Sequence, residues 1–290
     1  MSQHDIERIA QHHCKTGENP AWDERTGMFY WTDIPTCRLF QYDPATGRSE
    51  VMHHGPQQVG GFTFQEDGRW LLFRERDVAV FDPVARGEPR PIASFEHDRV
   101  PRFNDVIAAP DGRVFAGTMG RDLQGGLFRM DHDRTITSLW RGTNTANGMA
   151  FTADLATMYW TDTTGRTIWA FDYDREAGAL TNRRPFVQIP EGEGGPDGLT
   201  IDTEGRLYSA RYGGSGVYVY SPGGAVVEKI ELPVPKVTSC LFGGPERDEL
   251  YITTAGGDPD TAQGEAGAVF RVKPGARGRP EFRSRIDCER

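Results

Sequence analysis

Oxygen-bearing side chains recur at one position of a repeating pattern in this sequence. A polar or small residue stands about seven residues before a turn and just ahead of a short apolar strand. These residues are Gly60, Asn104, Asn147, Asp197 and about Ser239, and the longer turn of the first repeat places Glu18 or Asn19 there. One such residue alone can simply mark a turn, because Asn, Asp and Gly favour turns. Together they bring carboxylate and amide oxygens from distant parts of the chain to one place.

Glu18, Asn147 and Asp197 form a candidate set of metal ligands. They offer carboxylate and amide oxygens without any histidine or cysteine, and hard oxygen ligands suit Ca²⁺, Mg²⁺ or Mn²⁺. Three protein ligands leave coordination positions for water and substrate, which is typical of a catalytic site. A bound divalent ion polarises an ester carbonyl and lowers the pKa of a bound water, and either effect favours attack on a carbonyl.

Arg102 is a candidate substrate contact. It lies two residues before Asn104, so both side chains are predicted on the same face of a strand. Its guanidinium can donate hydrogen bonds to carbonyl or hydroxyl oxygens.

Other chemistries find little support in the sequence. The stretch Gly213–Val217 narrowly misses the G-x-S-x-G elbow and precedes a predicted strand rather than a helix. The histidines lie away from the repeat motifs, which leaves a Ser-His-Asp triad without a base. The sequence also contains no P-loop and no dinucleotide fingerprint.

The elements that must position these residues are short strands in six repeats. Each repeat has an apolar strand, a turn with Asp, Glu or Gly, and then an alternating aromatic or β-branched strand. The turns lie near residues 26, 67, 111, 154, 204 and 247, a spacing of about 44 residues that is typical of a four-stranded propeller blade. The predicted fold is all-β, a six-bladed β-propeller forming a single domain over residues 1–290, with the candidate ligands at one mouth of its central channel.

Further strands follow the hairpins at similar offsets and are predicted to be third in their blades. They are Arg38–Tyr42, Val78–Phe81, Gly126–Met130, Ile168–Phe171, Val217–Tyr220 and Ala268–Val272. The N-terminal stretch Ile6–Ala10 and the C-terminal stretch Glu281–Ile286 are candidates to complete one blade and close the ring, which would remove open strand edges.

Composition limits the partners that we expect. The net charge is −9 and the basic residues are scattered, which argues against nucleic acid or an anionic membrane surface. The sequence has neither a signal peptide pattern nor an apolar run long enough for a membrane helix, so a cytoplasmic protein is expected. The four cysteines, Cys14, Cys37, Cys240 and Cys288, show no C-x-x-C spacing, and we interpret them as reduced thiols.

Five motifs in order make the sequence resemble the gluconolactonase/regucalcin family, the senescence marker protein family. They are Gly17–Trp22 with Trp31–Ile34, Arg102–Asp105 with Phe115–Met119, Asn147-Gly148 with Tyr159–Asp162, Pro196–Gly198, and Thr238–Gly244. The resemblance implies a six-bladed propeller with a divalent metal on its axis and lactone hydrolysis as the activity. It also implies Glu18, Asn147 and Asp197 as metal ligands, and Arg102 and Asn104 as substrate contacts.

One segment departs from the family pattern. Members specific for sugar lactones often carry a longer segment after the Gly-Thr-Met motif, with an acidic residue that contacts substrate. Here the segment Gly120–Gly126 is short, and Asp122, next to an arginine, is the candidate for that acidic contact.

The expected function is a metal-dependent hydrolase that opens sugar (aldono-) lactones such as gluconolactone. Asp197 is the candidate general base, and a hydroxide on the metal is the alternative nucleophile. We expect one divalent ion, Ca²⁺ ahead of Mg²⁺, Mn²⁺, Zn²⁺ or Fe²⁺. Two other functions remain open, a phosphotriester or aryl-ester hydrolase and a non-catalytic propeller that binds calcium or a ligand. The sequence leaves the oligomeric state and the physiological lactone undetermined.

Overall fold

A computed structural model of the chain describes residues 4–95, 97, 99–257 and 264–289. Within these ranges the chain forms strands and one short 3-10 helix, Ile34–Thr36. The strands make six four-stranded antiparallel sheets, and each sheet is one blade of a propeller. The predicted all-β, six-bladed fold is therefore confirmed, and each predicted third strand is third from the channel in its blade.

Five blades follow the chain in order, each from its innermost to its outermost strand. Blade one contains β2 (Gly17–Asp23), β3 (Met28–Asp33), β4 (Arg38–Asp43) and β5 (Arg48–His54); blade two contains β6 (Val59–Phe64), β7 (Trp70–Arg74), β8 (Asp77–Phe81) and β9 (Arg90–Ser94). Blade three contains β10 (Arg102–Ala108), β11 (Val114–Met119), β12 (Gly125–Met130) and β13 (Ile136–Thr143); blade four contains β14 (Ala146–Phe151), β15 (Thr157–Asp162), β16 (Thr167–Asp174) and β17 (Ala179–Gln188). Blade five contains β18 (Gly195–Ile201), β19 (Leu207–Tyr212), β20 (Gly216–Tyr220) and β21 (Val226–Glu231).

The sixth blade is built from both ends of the chain. Its inner strands are β22 (Val237–Gly243), β23 (Glu249–Thr254) and β24 (Ala268–Val272), and its outer strand is β1 (Glu7–Gln11). Strand β1 pairs antiparallel with β24, with Glu7 opposite Arg271. This pairing confirms the closing role that the sequence predicts for the N-terminal stretch, and it covers the outer edge of β24.

The C-terminal stretch Glu281–Ile286 does not complete a blade, contrary to one of our two expectations. The place beside β24 that a terminal strand could occupy is already taken by β1. The stretch instead forms one isolated bridge, between Gln65 and Ser284, at the turn end of blade two.

Residues 277–288, here called the C-terminal segment, cross the end of the channel where the β-turns between first and second strands lie. Backbone or side-chain atoms of this segment contact each of the six blades. The contacts are Arg283 with Asp23, Ser284 N with Phe64 O (2.8 Å), Arg285 N with Gly112 O (2.8 Å), Arg279 Nη2 with Phe151 O (2.5 Å), Thr203 N with Arg277 O (2.8 Å), and Gly278 N with Arg247 O (2.8 Å).

Aromatic and aliphatic side chains fill the spaces between adjacent blades. Between blades six and one, for example, the rings of Phe29 and Tyr251 stack with centroids 4.5 Å apart, and Trp31 stacks on Phe40 at 5.0 Å. Such contacts hold the blades at fixed angles, because buried apolar surface and stacked rings both favour the packed state. The inner strands are buried along nearly their whole length.

Two predictions about the chain's environment can be compared with the structure. Cys14, Cys37, Cys240 and Cys288 are all free thiols. No helix in the described ranges is long and apolar enough to cross a membrane.

Candidate active site

A shift of strand register occurs near the start of every inner strand, at the channel mouth opposite the C-terminal segment. The shifts fall between Glu18 and Ala21, Val59 and Gly61, Phe103 and Val106, Ala146 and Met149, Pro196 and Leu199, and Val237 and Ser239. A β-bulge of this kind bends its strand and re-aims side chains. Because the six inner strands surround one axis, the bulges turn polar side chains from different blades towards a common point.

Four of the sequence-predicted residues lie buried at this mouth. Glu18, Asn104, Asn147 and Asp197 each expose only 3–5% of their surface. Asn104 Nδ2 donates hydrogen bonds to Asn147 Oδ1 and, at 2.9 Å, to Ala146 O. Blades three and four are thereby joined through their polar side chains.

Arg102 lies against the same network and is half-buried. One guanidinium nitrogen, Nη1, donates to Asn104 Oδ1 at 2.6 Å and to Phe103 O at 2.8 Å. Since Asn104 also bonds Asn147, the guanidinium is linked to the candidate ligand set through a single amide.

Thr163 fixes the orientation of the Asn147 amide. Asn147 Nδ2 donates to Thr163 Oγ1 at 2.7 Å, and the Thr163 hydroxyl donates in turn to Pro196 O at 2.6 Å. The amide nitrogen is thus held by Thr163, which leaves Oδ1 facing Asn104. This chain of bonds also ties the end of β15 to the residue just before Asp197.

Three carboxyl groups share the buried mouth with the guanidinium of Arg102. Burial raises the pKa of Glu18 well above its usual range, and the charges of Asp197 and Asp105 raise it further. Burial likewise raises the pKa of Asp197, with Asp105 as the next cause. Burial raises the pKa of Asp105 to about 7, although Arg102 acts to lower it. Water is largely excluded here, and the negative charges outnumber the positive one.

The donors at this mouth fit a divalent metal ion. Two carboxylate oxygens, Glu18 Oε2 and Asp197 Oδ1, are buried and accept no hydrogen bond from the described part of the chain, although buried polar atoms are normally satisfied. With Asn147 Oδ1 they form an all-oxygen donor set, the kind that Ca²⁺ and Mg²⁺ prefer. Within the described ranges no group of three or more His, Cys, Asp or Glu side chains could hold a metal ion, so such a site depends on the Asn147 amide as a ligand.

Asp122 lies apart from this network. Its side chain is 73% exposed, and it pairs with Arg99 at 3.2 Å in the loop after β11. The backbone of Asp122 is left-handed, with φ of 53°. The structure therefore brings together Glu18, Arg102, Asn104, Asn147 and Asp197 and places Asp122 in an exposed loop.

Three residues near the mouth were missed by sequence reasoning. Asp105 directly follows a predicted residue, Thr163 follows the Tyr-Trp-Thr-Asp motif, and Arg211 ends the strand paired with β18. Arg211 is fully buried, donates to Tyr220 and Ser209, and its charge acts to lower the pKa of Asp197. A motif search finds only the first two, as neighbours of recognised residues, because Arg211 stands in no motif of its own.

Comparison with known proteins gives consistent matches over nearly the whole chain. The family model described as the SMP-30/Gluconolactonase/LRE-like region matches residues 16–256. A pentonolactonase of Haloferax volcanii is 43% identical over 293 residues, covering 97% of this chain and 98% of the relative. The regucalcin of Homo sapiens is 31% identical, covering 94% of this chain and 95% of the relative.

Solved structures match the fold closely. The structure of regucalcin from Agrobacterium tumefaciens, described as a calcium-binding protein, is 27% identical with a TM-score of 0.90 and covers 98% of both chains. A luciferin-regenerating enzyme is 29% identical with a TM-score of 0.87, covering 98% of this chain and 100% of its own.

Proposed function

The chain belongs to the SMP-30/gluconolactonase/LRE-like family and is a lactonase, and from this premise we propose that it opens sugar lactones with one divalent metal ion held by Glu18, Asn147 and Asp197. The observation that carries the proposal is the pair of buried carboxylate oxygens without partners, Glu18 Oε2 and Asp197 Oδ1. Two unpartnered anionic oxygens in a buried site are costly unless a cation compensates them. Ca²⁺ is the first candidate, since a relative with 27% identity is described as a calcium-binding protein.

A divalent ion at this mouth would supply Lewis acidity towards the ester carbonyl of a lactone. The protein's own residues have separate tasks. Asp197 accepts a proton from the attacking water through the carboxylate oxygen that does not hold the ion, its Oδ1 being the buried oxygen without a partner. Arg102 donates hydrogen bonds to carbonyl or hydroxyl oxygens of the sugar, and Asn104 holds the Arg102 guanidinium at 2.6 Å.

The proposed reaction needs only water as co-substrate. Water adds to the carbonyl carbon of the lactone, and the bond between that carbon and the ring oxygen breaks. The proton taken by Asp197 passes to the ring oxygen, which becomes a hydroxyl group. The product is the open-chain aldonic acid, which loses one proton at neutral pH.

The proposed substrates are aldonolactones, with pentonolactones to be tested first. The reason is the 43% identity to a pentonolactonase over 97% of this chain, against 31% to human regucalcin. The substrate contact predicted for Asp122 stays a proposal, as does a cytoplasmic location.

A panel of substrates on metal-free enzyme tests the proposal. The enzyme is treated with chelator, checked by elemental analysis, and reconstituted separately with Ca²⁺, Mg²⁺, Mn²⁺, Zn²⁺ or Fe²⁺. Pentono- and hexonolactones, an organophosphate triester and an aryl ester are then compared by kcat/KM. We expect hydrolysis of aldonolactones that is lost on chelation and restored by at least one ion. Full lactonase activity in the verified metal-free enzyme overturns the metal dependence, and a preference for the triester or aryl ester overturns the substrate class.

Asp197→Asn tests the assignment of the base. The amide retains an oxygen donor but cannot accept the proton. We expect turnover to fall by about 100- to 10,000-fold, the usual contribution of general acid–base catalysis, at metal concentrations high enough to fill the site, because the amide is also a weaker ligand than the carboxylate. Metal content must be measured on the same sample, because loss of the ion would lower turnover for a different reason.

A further inference from the structure

We infer that Asp105 is a positioning residue that sets the negative charge of the channel mouth and thereby its affinity for a divalent cation, an inference that rests on the proposed metal site. Asp105 follows Asn104 within the bulge of β10, between Phe103 and Val106. A regular strand would turn two neighbouring residues to opposite faces. The bulge breaks that alternation, so Asn104 and Asp105 both lie at the channel.

The position that Asp105 occupies in blade three is occupied by glycine in blades four and five. By strand register, Gly148 in β14 and Gly198 in β18 correspond to Asp105. A Cβ atom on Gly148 would lie 2.2 Å from Leu199 N, and one on Gly198 would lie 2.0 Å from Ser239 Oγ. Among these three blades, only blade three carries a side chain at this place, and that side chain is a carboxylate.

Among the residues that the structure describes, Asp105 has no hydrogen-bond partner that would explain it as a structural residue. It is 7% exposed, its Oδ1 is buried, and this oxygen accepts no hydrogen bond. It lines an axial cavity of about 100 Å³ just below the mouth, together with Ser239 and Thr200. A buried carboxylate without donors destabilises the fold unless another positive charge compensates it.

Asp33 shows what a structural carboxylate looks like in the same molecule. It is fully buried, and it accepts hydrogen bonds from Thr16 N at 2.9 Å, from Thr36 Oγ1 at 2.6 Å and from Arg38 Nη2 at 3.1 Å. Asp33 is thus satisfied by the protein alone, and Asp105 is not.

The sum of the charges at the mouth indicates which kind of ion Asp105 helps to attract. The charges of Asp197 and Asp105 raise the pKa of Glu18, the charge of Asp105 raises the pKa of Asp197, and the Arg102 guanidinium acts to lower the pKa of all three carboxyl groups. With every group ionised, the three carboxylates and Arg102 leave an excess of two negative charges, which the charge of Arg211 behind Asp197 reduces to one, so a divalent cation is attracted to the mouth. The three acids do not form a metal-holding group within the described residues, so Asp105 acts through its field while Asn147 completes the ligand set.

Asp105→Asn should therefore have two opposite effects. Without metal, it removes an uncompensated buried charge, so the chelated variant should be at least as stable as the chelated wild type. With metal, it removes part of the attraction for the cation, and we expect affinity to fall about 10- to 100-fold, as is usual when groups behind metal ligands are changed. A purely structural role predicts neither a stable metal-free variant nor weaker binding.

The experiment measures Ca²⁺ and Mg²⁺ affinity by competition with a chelator, and thermal unfolding in excess chelator, for the full-length protein. The variants are Asp105→Asn, Asp105→Glu, which keeps the charge, and Asp33→Asn as the matched control. We expect weaker binding only for Asp105→Asn, wild-type binding within a few-fold for Asp105→Glu, and a destabilised but metal-binding Asp33→Asn.

The other possible outcomes contradict either the role of Asp105 alone or the proposed metal site as well. Equal affinity of wild type and Asp105→Asn overturns the role of Asp105 and leaves the metal site intact. A metal-free Asp105→Asn that unfolds at lower temperature than wild type, or fails to fold, also overturns it, because the inference requires the opposite. A wild type that binds none of Ca²⁺, Mg²⁺, Mn²⁺, Zn²⁺ or Fe²⁺ overturns the proposed metal site and this inference together.

Discussion

Single residues at the channel mouth divide into those proposed to hold the ion and those proposed to contact the sugar. Glu18 and Asp197 carry the unpartnered oxygens, whereas Arg102 carries the guanidinium and is joined to Asn147 only through Asn104. This division makes the two groups separable, because added metal can rescue a weakened ligand and cannot replace a lost substrate contact.

Arg102→Ala should lower kcat/KM for polyhydroxylated lactones by about 10- to 150-fold, since a charged hydrogen bond contributes roughly 1.5–3 kcal/mol. Its metal affinity should stay near that of wild type. Glu18→Gln should lower metal affinity first, and its activity should partly recover at high metal concentration. Kinetics at several metal concentrations check both, with the exposed Arg86→Ala as control. Rescue of Arg102→Ala by metal, or unaltered metal binding by Glu18→Gln, would contradict these roles.

Thr163→Val should weaken metal binding without unfolding the protein. The valine keeps the shape but offers no oxygen to Asn147 Nδ2, so the amide is free to rotate. One hydrogen bond is worth about 0.5–1.5 kcal/mol, which corresponds to roughly a 2- to 10-fold lower affinity in a titration with Ca²⁺. Thr163→Ser keeps the hydroxyl and should bind like wild type. If both variants bind equally, Thr163 does not orient the ligand.

The sequence identifies part of this site for a physical reason. Glu18, Asn147 and Asp197 stand at equivalent positions of different repeats, and a propeller brings equivalent positions of its blades to one axis. Asp105 could not be predicted in the same way. Strand alternation places its side chain on the other face of the strand from Asn104, and only the bulge brings both to the channel. Thr163 could not be predicted because its role depends on a hydrogen bond across two blades, which the spacing of residues along the sequence does not reveal.

Individual strands place these side chains by their bulges, and the bulges of β14 and β18 have glycine directly after the candidate ligand. Gly198 follows Asp197 and packs against Ser239 of blade six so closely that a Cβ would lie 2.0 Å from Ser239 Oγ and 2.7 Å from its Cα. The contact joins β18 to β22 at the level of the candidate ligands. Any side chain here would push the two strands apart and move Asp197.

Gly198→Ala should therefore destabilise the fold by about 1–3 kcal/mol, the usual cost of overpacking, and weaken metal binding as well. Urea unfolding and a metal titration measure the two effects. Adding Ser239→Gly should recover part of the stability and not all of it, because the Ser239 Cα remains too close. Ser239→Gly alone is the matched control. Gly205→Ala, in the turn after β18, is unsuitable, because Gly205 has a φ of 81° and an alanine there would be strained. A Gly198→Ala protein with wild-type stability and affinity would refute this account.

Strand prediction succeeds where turns and alternation repeat, and it fails at the C-terminal segment. Phe282, Ser284 and Ile286 have the spacing of a strand, and the sequence alone cannot show that β1 already occupies the free edge of β24. Competition between two termini for one edge is decided by tertiary structure.

At the scale of the whole molecule, the ring is held by β1 and by the C-terminal segment. Gln65 is the main anchor of that segment, with Nε2 donating to Ile286 O at 2.8 Å and Oε1 accepting from Ile286 N at 3.1 Å. Gln65 is 2% exposed, so these bonds are shielded from water.

Gln65→Leu should lower the free energy of unfolding by about 1–3 kcal/mol for each of the two backbone groups left unsatisfied. Urea denaturation followed by tryptophan fluorescence measures the loss. Gln41→Leu is the matched control, because Gln41 is only half-buried on β4 and contacts Met28 Sδ and Arg86; its change should stay within about 0.5 kcal/mol. Equal unfolding midpoints for the two variants would show that this anchor adds nothing to the ring.

The pairing of β1 with β24 has a consequence for how the protein is made. Glu7 and Arg271 are 264 residues apart and meet in one ion pair, so β1 leaves the ribosome long before its partner strand exists. Blades one to five each contain only neighbouring strands and can form on the nascent chain, since local contacts form before distant ones. The sixth blade and the C-terminal segment can form only after residues 237–288 have been synthesised. Until then the apolar side chains that blades one and five bury against blade six are exposed, so the unfinished polypeptide is at its greatest risk of aggregation before these residues emerge.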